Sequence, residues 1–349
     1  MKAKRLILII ALLLVGTGTT LYGQQERRNT IMFYNLENLF DTIQDPDTND
    51  RDFLPDGPKK WNSHKYRTKM RNLDQVFYGV AQAGRDWPAV IGVSEIENRS
   101  VLEDLVMQDK VQAANYRIVH YDSPDRRGVD VGFLYRADRF KLEGSYPHPV
   151  RMEELPYFRT RDILGMWGTM DGEPFYFMVA HWPSRLGGQQ ASEPRRVRAA
   201  EVMRHVIDSV LTANPATRIV VMGDMNDDPT DRSMAVVLGG KQKTKELAPG
   251  DMFNPYFEMF RQGHGTLAYQ DGWNLFDNIV VSENLVNAPR GTWHITKTDG
   301  NKFYGNVFRA KYLFQQEGQY KGYPLRTYVG DNFQSGYSDH LPVYIVIAK

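Results

Sequence analysis

The sequence contains no cysteine among its 349 residues. This absence excludes disulfide bonds, thiolate metal sites and a lipid anchor on an N-terminal cysteine. An excess of charge is also absent, because 43 Lys and Arg are balanced by 42 Asp and Glu. The overall charge therefore favours neither nucleic acid nor any other highly charged partner, and an attraction to phosphate groups has to be local.

Long apolar runs are absent except for one at the N-terminus. Residues 6–15 are apolar, follow the basic segment 2–5 and precede small and polar residues, which is typical of a secretory signal peptide. The run is shorter than the roughly 20 residues that span a bilayer, which disfavours an uncleaved membrane anchor. We predict that residues 1–23 are removed by cleavage near Gly23, and that the mature protein is secreted or periplasmic.

Residues 24–349 are predicted to form one domain, because no shift in composition marks a second one. Short apolar runs rich in Val, Ile, Phe and Tyr predict strands at 31–34, 89–93, 116–121, 129–135, 163–169, 175–180, 219–222, 276–281 and 343–348. Helical spacing predicts helices over 66–80, from Ser100 and after Pro194. Many strands with few, widely separated helices favour a layered α/β sandwich.

Several of the predicted strands end in polar residues that can bind metal ions. In "IVVMGDMNDDP" (219–229), an apolar strand leads into Asp224, Asn226 and two further acids. Adjacent carboxylates repel each other and are costly to desolvate, so a bound cation is the expected compensation. Similar polar residues occur in "YNLEN", "VSEIEN", "AHWPSR", "FDNIVVS" and "SDHLP". Each alone is explained by a turn or a helix cap, but the whole set favours one catalytic site.

These motifs resemble those of the endonuclease/exonuclease/phosphatase superfamily. That superfamily includes DNase I and exonuclease III, the inositol polyphosphate 5-phosphatases and the bacterial sphingomyelinases. The similarity runs from about Thr30 to the C-terminus, and "GDMN" together with "SDHLP" is a highly specific combination. It implies a four-layer α/β/β/α sandwich, in which two mixed β-sheets pack face to face between helices and the active site lies at one edge.

The resemblance also implies a metal site. Glu95 would be the principal carboxylate ligand, helped by Asn35 and Asp339. Few protein oxygens and several waters are the surroundings that Mg²⁺ prefers, and Mn²⁺ can substitute for it. We expect a cation to be required because the acids of "GDMN", "SEIE" and "SDH" have no nearby lysine in the sequence.

The remaining catalytic roles follow from the same resemblance. Asp224 would orient or deprotonate the attacking water, and Asn226 would hold that water or a phosphate oxygen. His340 would donate a hydrogen bond to the scissile phosphate and be positioned by Asp277, while His181 matches a second position beside the phosphate. Such donors suit a pentavalent, extra-negative transition state. Ala180 stands where asparagine is frequent in the superfamily, so a departure is expected in the hydrogen bonding around His181.

Substrate recognition is less well specified. Arg127, Ser184 and Arg185 lie beside the predicted edges of the site, where an arginine fork could bind phosphate; the alternative for each arginine is a solvated surface position. The stretch 293–337 interleaves eleven aromatic residues with six Lys or Arg and three acids. These rings and charges would suit nucleic acid, or the rings could simply pack on the sandwich.

We therefore predict an exported Mg²⁺-dependent phosphodiesterase that acts on DNA or RNA and has no stable membrane anchor. The sequence leaves the oligomeric state open and favours a monomer. A phosphatase or a lipid or inositol phosphodiesterase on the same scaffold is the alternative. A catalytically inactive binding protein is disfavoured because all the expected site residues are present.

Overall fold

The computed structural model describes residues 26–349, and the predicted signal peptide lies outside them. The strands are β1 (Arg28–Leu39), β2 (Val90–Ile96), β3 (Tyr116–His120), β4 (Asp130–Arg136), β5 (Lys141–His148), β6 (Ile163–Met170), β7 (Glu173–His181), β8 (Arg218–Asp224), β9 (Gly240–Lys241), β10 (Met252–Phe253), β11 (Leu267–Tyr269), β12 (Gly272–Asn274), β13 (Asp277–Ser282), β14 (His294–Thr296), β15 (Gly305–Val307), β16 (Tyr328–Val329), β17 (Asn332–Phe333) and β18 (Val343–Ala348). The α-helices are α1 (Ser63–Gly84), α2 (Arg99–Val106), α3 (Gln189–Ala213) and α4 (Phe257–Arg261). None of the helices described here is long and apolar enough to cross a membrane.

The strands form two large sheets and two small hairpins. The first sheet has the order β14-β18-β1-β2-β4-β3, and β15 also pairs with β18. The second has the order β5-β6-β7-β8-β13-β10-β9, while β11–β12 and β16–β17 form the hairpins. Both large sheets are mixed, because β1–β2 and β7–β8 are parallel pairs among antiparallel ones. The predicted architecture of two mixed sheets within an α/β sandwich is confirmed.

Side chains along the central strands alternate between the two faces of each sheet, and this alternation explains the layered packing. In β1, Ile31 and Phe33 belong to the core between the two sheets, whereas Met32 and Tyr34 belong to the core that includes residues of α1 and α2. Successive side chains of a strand point to opposite faces, so a strand buried on both faces is apolar throughout. In β8 the same alternation divides the side chains between the central core and the core that includes residues of α3.

The two sheets approach closely next to the site. A Cβ atom added at Gly92 of β2 would lie 2.5 Å from Met222 Sδ and 2.9 Å from Val179 Cγ2. Glycine thus lets β2 pack against β7 and β8 near the ends of these strands. A larger side chain here would push apart the strands that carry Glu95 and Asp224.

The sequence prediction missed strand β5, the short strands β9–β12 and β14–β17 and the short helix α4, and it misplaced the start of α3. Strand β5 was missed because it lies at the edge of its sheet with few buried side chains, so its pattern is not that of a core strand. Helix α3 begins at Gln189 and contains Pro194, although Pro194 was expected to precede it. Ser192 Oγ donates to Gly188 O at 2.7 Å, and Arg196 Nη2 donates to Gln189 O at 3.0 Å. These bonds stabilise the turn before the proline, which lacks an N–H of its own.

The aromatic stretch 293–337 is integrated into the sandwich. It supplies β14 and β15 to the first sheet, and Trp293 is buried in the central core. Phe308, Tyr312 and Phe314 pack against the core beneath α1. Packing on the sandwich, the simpler interpretation, therefore accounts for most of these rings. Tyr320 and Tyr323 instead line a cavity next to the candidate site.

Candidate active site

Strand directions explain why residues far apart in sequence meet at one edge. Because β7 and β8 are parallel, their last residues His181 and Asp224 are register partners. Strand β13 runs antiparallel to β8, so its first residue, Asp277, is also paired with Asp224. In the facing sheet, Asn35 lies opposite Ser94 on the parallel strand β2, immediately before Glu95.

Asp224 is the residue on which both sheets converge. Its Oδ2 accepts a hydrogen bond from Asn35 Nδ2 at 3.0 Å, and it lies 3.5 Å from His181 Nε2 and 3.7 Å from His340 Nε2. Burial raises the pKa of the Asp224 carboxyl to about 6, against the opposing effect of the His340 charge. The carboxylate is therefore ionised at neutral pH and basic enough to accept a proton near that pH.

His340 is held as a cation. Its Nδ1 lies 2.7 Å from Asp277 Oδ2, and both side chains are buried. Burial by itself would lower the pKa of His340, but the Asp277 and Asp224 carboxylates outweigh it and raise that pKa well above the usual range. The imidazolium can donate a hydrogen bond or a proton through Nε2, which is directed toward Asp224.

His181 has the opposite electrostatics. Burial, together with the positive charges of Arg161 and Arg127, lowers the pKa of His181 well below its usual range. Its ring is therefore neutral at pH 7. The buried Nδ1 has no hydrogen-bond partner among the described residues, at the point where Ala180 replaces the frequent asparagine. The site thus combines one neutral and one cationic imidazole.

Glu95 is directed into the site by an irregularity in β2. Its backbone has a φ of 58°, and the pairing of β2 with β4 shifts register between Ser94 and Ile96. Such a conformation is costly for glutamate and is commonly found at functional sites. Asn38 N donates to Glu95 Oε2 at 2.9 Å, and Asn35 Nδ2 lies 3.4 Å from Oε1.

The surroundings of Glu95 fit a hard divalent cation. Within the described chain, no Lys or Arg nitrogen lies within 4 Å of its carboxylate, and the nearest ring nitrogen, at 3.9 Å, belongs to the neutral His181. A partly exposed carboxylate without a cationic partner is an oxygen ligand that suits Mg²⁺, so the contacts of Glu95 are compatible with its predicted role. The role of Asn35 as a ligand stays a prediction, because its Nδ2 faces the acids and its Oδ1 accepts from Glu37 N at 2.9 Å.

Asp339 has a cationic neighbour that the sequence did not reveal. Arg326 Nη2 donates to Asp339 Oδ2 at 2.9 Å, and Arg326 Nε donates to Glu37 Oε1 at 3.3 Å. Lys69 Nζ lies 3.8 Å from Glu37 Oε2. The expectation that the site acids lack basic neighbours is therefore wrong for this part of the site. The role of Asp339 as a ligand stays a prediction, now with Arg326 as a competing partner.

Arg161 is a further residue that the sequence analysis missed. Its buried guanidinium donates to His181 O at 3.1 Å, Trp182 O at 2.8 Å and Asp125 Oδ2 at 2.9 Å. Trp182 O also accepts from Asn226 Nδ2 at 2.9 Å, so the amide oxygen is the Asn226 group left for a water or a phosphate. No pattern distinguishes Arg161 in sequence, since its partners lie on other elements.

Two other groups of acids and histidines could offer metal ligands among the described residues. One is Asp224, Asp277 and His340, but a cationic histidine paired with a carboxylate is a poor ligand. The other consists of His120, Asp122 and Asp130. There His120 Nε2 lies 3.0 Å from Asp130 Oδ2. This hydrogen bond between β3 and β4 accounts for the proximity of the two side chains without a metal ion. The Glu95 side of the site remains the best candidate.

The three predicted substrate-binding residues differ in their contacts. Arg185 donates to Asp231 Oδ2 at 2.7 Å and to Asn226 O at 2.9 Å, so its guanidinium braces the loop after β8. These contacts disfavour a substrate role for Arg185. Ser184 is exposed, and its carbonyl accepts from Arg196 at 3.5 Å. Arg127 is half exposed, and among residues 26–349 only Asp125 Oδ1, at 3.7 Å, lies within ion-pair distance of it.

These contacts predict a loss of stability when Arg185 is replaced and a loss of substrate binding when Arg127 is replaced. Arg185→Ala leaves the acids of the loop without their shared donor, so the free energy of unfolding should fall by about 1–3 kcal/mol. Arg127→Ala should leave stability within about 0.5 kcal/mol and raise KM for a phosphodiester. Thermal unfolding and steady-state kinetics of both variants would measure this. A raised KM without loss of stability in Arg185→Ala would restore the substrate role to Arg185.

Comparison with known proteins agrees with this geometry. Residues 30–349 match the model of the Endonuclease/Exonuclease/phosphatase family. No curated protein sequence matches the chain. Among solved structures, TDP2 from D. rerio complexed with a single-strand DNA product is 15% identical, with a TM-score of 0.54 over 92% of this chain and 98% of that chain.

Two structures from Bacteroides thetaiotaomicron are also similar. An endonuclease/exonuclease/phosphatase family protein is 15% identical, with a TM-score of 0.53 over 93% of this chain and 96% of that chain. A mannosyl-6-phosphatase is 16% identical, with a TM-score of 0.51 over 91% of this chain and 99% of that chain. At these identities the three similarities show a shared fold.

Proposed function

This chain belongs to the endonuclease/exonuclease/phosphatase family, whose members are phosphoric ester hydrolases, and from that membership we propose an Mg²⁺-dependent phosphodiesterase that acts on nucleic acid. The observation that carries the proposal is the convergence on Asp224 of groups from both sheets. A base, a cationic donor and a carboxylate without a basic partner stand within a few ångströms of one another. This combination suits phosphodiester hydrolysis, which needs a base for the attacking water and positive donors for the charge that develops on the phosphate.

The residues divide the chemistry between them. Asp224 orients the attacking water and accepts its proton, and the Asn226 amide oxygen helps to hold that water. His340 donates a hydrogen bond to a phosphate oxygen as negative charge accumulates there. Glu95, with Asn35 and Asp339, would hold the metal ion, which when bound supplies positive charge to the phosphate. Neutral His181 can donate one hydrogen bond without adding charge.

Nucleic acid is the proposed substrate for two reasons. The buried His340 cation and the exposed Arg127 offer donors to a phosphodiester at the edge of the sandwich. In addition, the TDP2 structure with a single-strand DNA product has the same fold. The mannosyl-6-phosphatase of similar fold supports the competing candidate, a sugar phosphatase. A phosphodiesterase would hydrolyse a phosphate diester, whereas a sugar phosphatase would hydrolyse only a monoester.

Metal dependence tests the proposal directly. EDTA should abolish hydrolysis of bis(p-nitrophenyl) phosphate, because Glu95, which has no Lys or Arg partner within 4 Å among the described residues, would then face the substrate phosphate without a cation between them. Added Mg²⁺ or Mn²⁺ should restore activity, whereas Ca²⁺ serves as a comparison with a larger ion. DNA, RNA and mannose 6-phosphate should be assayed in parallel. Full activity in excess chelator contradicts the metal requirement, and hydrolysis of the monoester alone contradicts the diesterase assignment.

Export is a further part of the proposal. The charged and apolar pattern of residues 1–23 supports removal of this segment during secretion or transfer to a periplasm. Mature protein recovered from the native host should begin at Gln24 or a neighbouring residue, as measured by N-terminal sequencing or intact mass. Protein that retains Met1 and is embedded in a membrane would contradict this assignment.

A further inference from the structure

A cavity of about 550 Å³ opens beside the candidate active site. The hairpin β11–β12 lines one side, and the loop 315–324 lines the other. Arg326 and Asp339, which pair with each other at the rim of the active site, form part of its wall. We call it the tyrosine cavity after Tyr269, Tyr320 and Tyr323. Its volume lies within the range of small-molecule sites.

The hairpin is attached directly to the catalytic residues. Thr266, just before β11, accepts a hydrogen bond from Leu341 N at 2.8 Å through its carbonyl. Its hydroxyl accepts from Asp277 N at 3.4 Å. The hairpin therefore begins beside the His340–Asp277 pair and ends at Asn274, three residues before Asp277. One substrate molecule could therefore place its phosphate in the active site and an attached group in the cavity.

The walls of the cavity are held rigidly. Gln270 and Asp271, at the tip of the hairpin, have φ values of 49° and 61°, a conformation that costs free energy in residues with side chains. The tip is tied to the opposite wall because Asp271 N donates to Tyr323 Oη and Tyr323 Oη donates to Asp271 Oδ1, both at 2.6 Å. Behind the hairpin, the Arg309 guanidinium lies 4.7 Å from the centre of the Trp273 ring.

The loop opposite the hairpin is closed on itself. Gln315 N donates to Tyr323 O at 2.8 Å, and Gly322 N donates to Gln315 O at 2.9 Å. Tyr320 and Tyr323 lie within this closed loop with their ring centres 5.7 Å apart. The two walls are thus formed before any ligand binds, which lowers the entropy cost of binding.

The lining favours an uncharged ring that forms hydrogen bonds. Tyr269 is 67% exposed and Tyr320 is 40% exposed, so large aromatic faces remain available for stacking. The amides of Gln270, Gln315 and Gln319 also line the cavity. The only basic side chain in the lining is Arg326, which already pairs with Asp339. A second phosphate would find no free cation in this lining, whereas a heterocyclic base with its sugar would find rings and amides.

We propose that the tyrosine cavity binds the nucleoside esterified to the scissile phosphate, with its base stacked on Tyr269 or Tyr320. This inference rests on the proposed phosphodiesterase function and adds a specificity-determining subsite to it. Because the base has to enter a cavity, it must be unpaired. The enzyme therefore favours single-stranded nucleic acid or strand ends over the interior of a duplex.

The test compares two diesters with the same leaving group, thymidine 5′-(p-nitrophenyl phosphate) and methyl p-nitrophenyl phosphate. In the full chain with Mg²⁺, at least one of Tyr269→Ala and Tyr320→Ala should lower kcat/KM for the thymidine ester by about tenfold, as expected for one lost stacking contact. The change should lie mainly in KM, and the methyl ester should be hydrolysed almost as before. Tyr269→Phe keeps the ring and should behave like the wild type. Tyr146→Ala, on the exposed edge strand β5, is the matched control.

Binding of thymidine 5′-monophosphate, measured by calorimetry, separates this inference from the proposed function. Weaker binding to Tyr269→Ala or to Tyr320→Ala than to Tyr146→Ala supports the subsite even if neither diester is hydrolysed, an outcome that would reject the phosphodiesterase instead. Equal losses on both esters, or unchanged kinetics and binding in both cavity variants, overturn the subsite. Binding of mannose 6-phosphate that depends on Tyr269, without binding of the nucleotide, overturns the nucleoside assignment.

Discussion

Asp224→Asn is expected to lower kcat on a phosphodiester by about 10³-fold and at the same time to stabilise the metal-free protein. Asparagine has nearly the same shape as aspartate, but it keeps only one oxygen, so it can accept from Asn226 N or from Asn35 Nδ2 and not from both, which bond to different oxygens of Asp224. It cannot accept a proton from water, so catalysis is lost. It also carries no charge, so the cost of burying an ionised carboxylate between two sheets is removed.

The pH dependence of both effects has a definite sign. Burial raises the pKa of the Asp224 carboxyl from 3.8 to about 6, so the folded state binds this proton more tightly than the unfolded state does. Ionisation of Asp224 therefore lowers the free energy of unfolding. This cost is absent below about pH 4 and is fully present above about pH 6. The gain in melting temperature of Asp224→Asn, measured in EDTA, should be largest at neutral pH and disappear in acid. Wild-type kcat/KM should decline below pH 6 for the same reason.

A matched control distinguishes a catalytic acid from any buried acid. Asp74 of α1 is also buried, but it accepts from Lys110 N and Val111 N, both at 2.9 Å, in the outer helical layer. Asp74→Asn should leave kcat unchanged. It should lower the melting temperature, because a neutral amide oxygen is a weaker acceptor than the Asp74 carboxylate for these two backbone N–H groups. If Asp224→Asn retains activity or loses stability as Asp74→Asn does, then Asp224 is structural.

The long central strands could be predicted because their determinants are local, whereas the order of the layers was implied by the resemblance to the superfamily. In "RIVVMGD", the change from apolar residues to Gly223 and Asp224 marks both the strand and its end at the site. The sequence also contained the polar groups at the ends of the strands that converge there. The start of α3 was misjudged because a proline usually opens a helix, whereas here Ser192 and Arg196 stabilise a turn that precedes it.

The charges around the site could not be predicted because they depend on contacts between distant residues. Arg326 reaches Glu37 across 289 positions, and Lys69 comes from a helix whose apolar pattern gives no sign of a buried cation. Arg185 was expected to bind phosphate because it follows the strand that ends at His181. The structure instead places its guanidinium against Asp227 and Asp231 in the segment that follows β8. Spacing along the chain shows which residues approach the site but not how their charges are paired.

His340→Ala is expected to lower kcat/KM by about 10² or more, as for the loss of a donor to a transition-state oxyanion. Asp277→Asn should cost less at low pH, because the imidazole remains in place and is protonated there. The Asp277 charge is a main cause of the raised pKa of His340, and burial alone would lower that pKa. Without the charge, His340 loses its proton at a lower pH, so the rate loss of Asp277→Asn should grow as the pH rises.

The double variant tests whether the two residues act as one unit. Once His340 is removed, Asp277 has no ring to charge or orient, so the double variant should be little worse than His340→Ala alone. The measurement is kcat/KM for the wild type, both single variants and the double variant on bis(p-nitrophenyl) phosphate across a range of pH. His205→Ala, on the exposed face of α3, controls for the loss of a histidine from the surface.

Each possible result has a distinct structural meaning. If the two losses multiply, Asp277 acts independently of His340, through its pairing with Asp224 at the start of β13. If His340→Ala remains near wild-type rates, the 2.7 Å contact with Asp277 Oδ2 serves to join β13 to the segment before β18. The remaining result is a loss of kcat/KM in Asp277→Asn that grows with pH, with the double variant equal to His340→Ala. In that case Asp277 contributes to catalysis by keeping the imidazole charged.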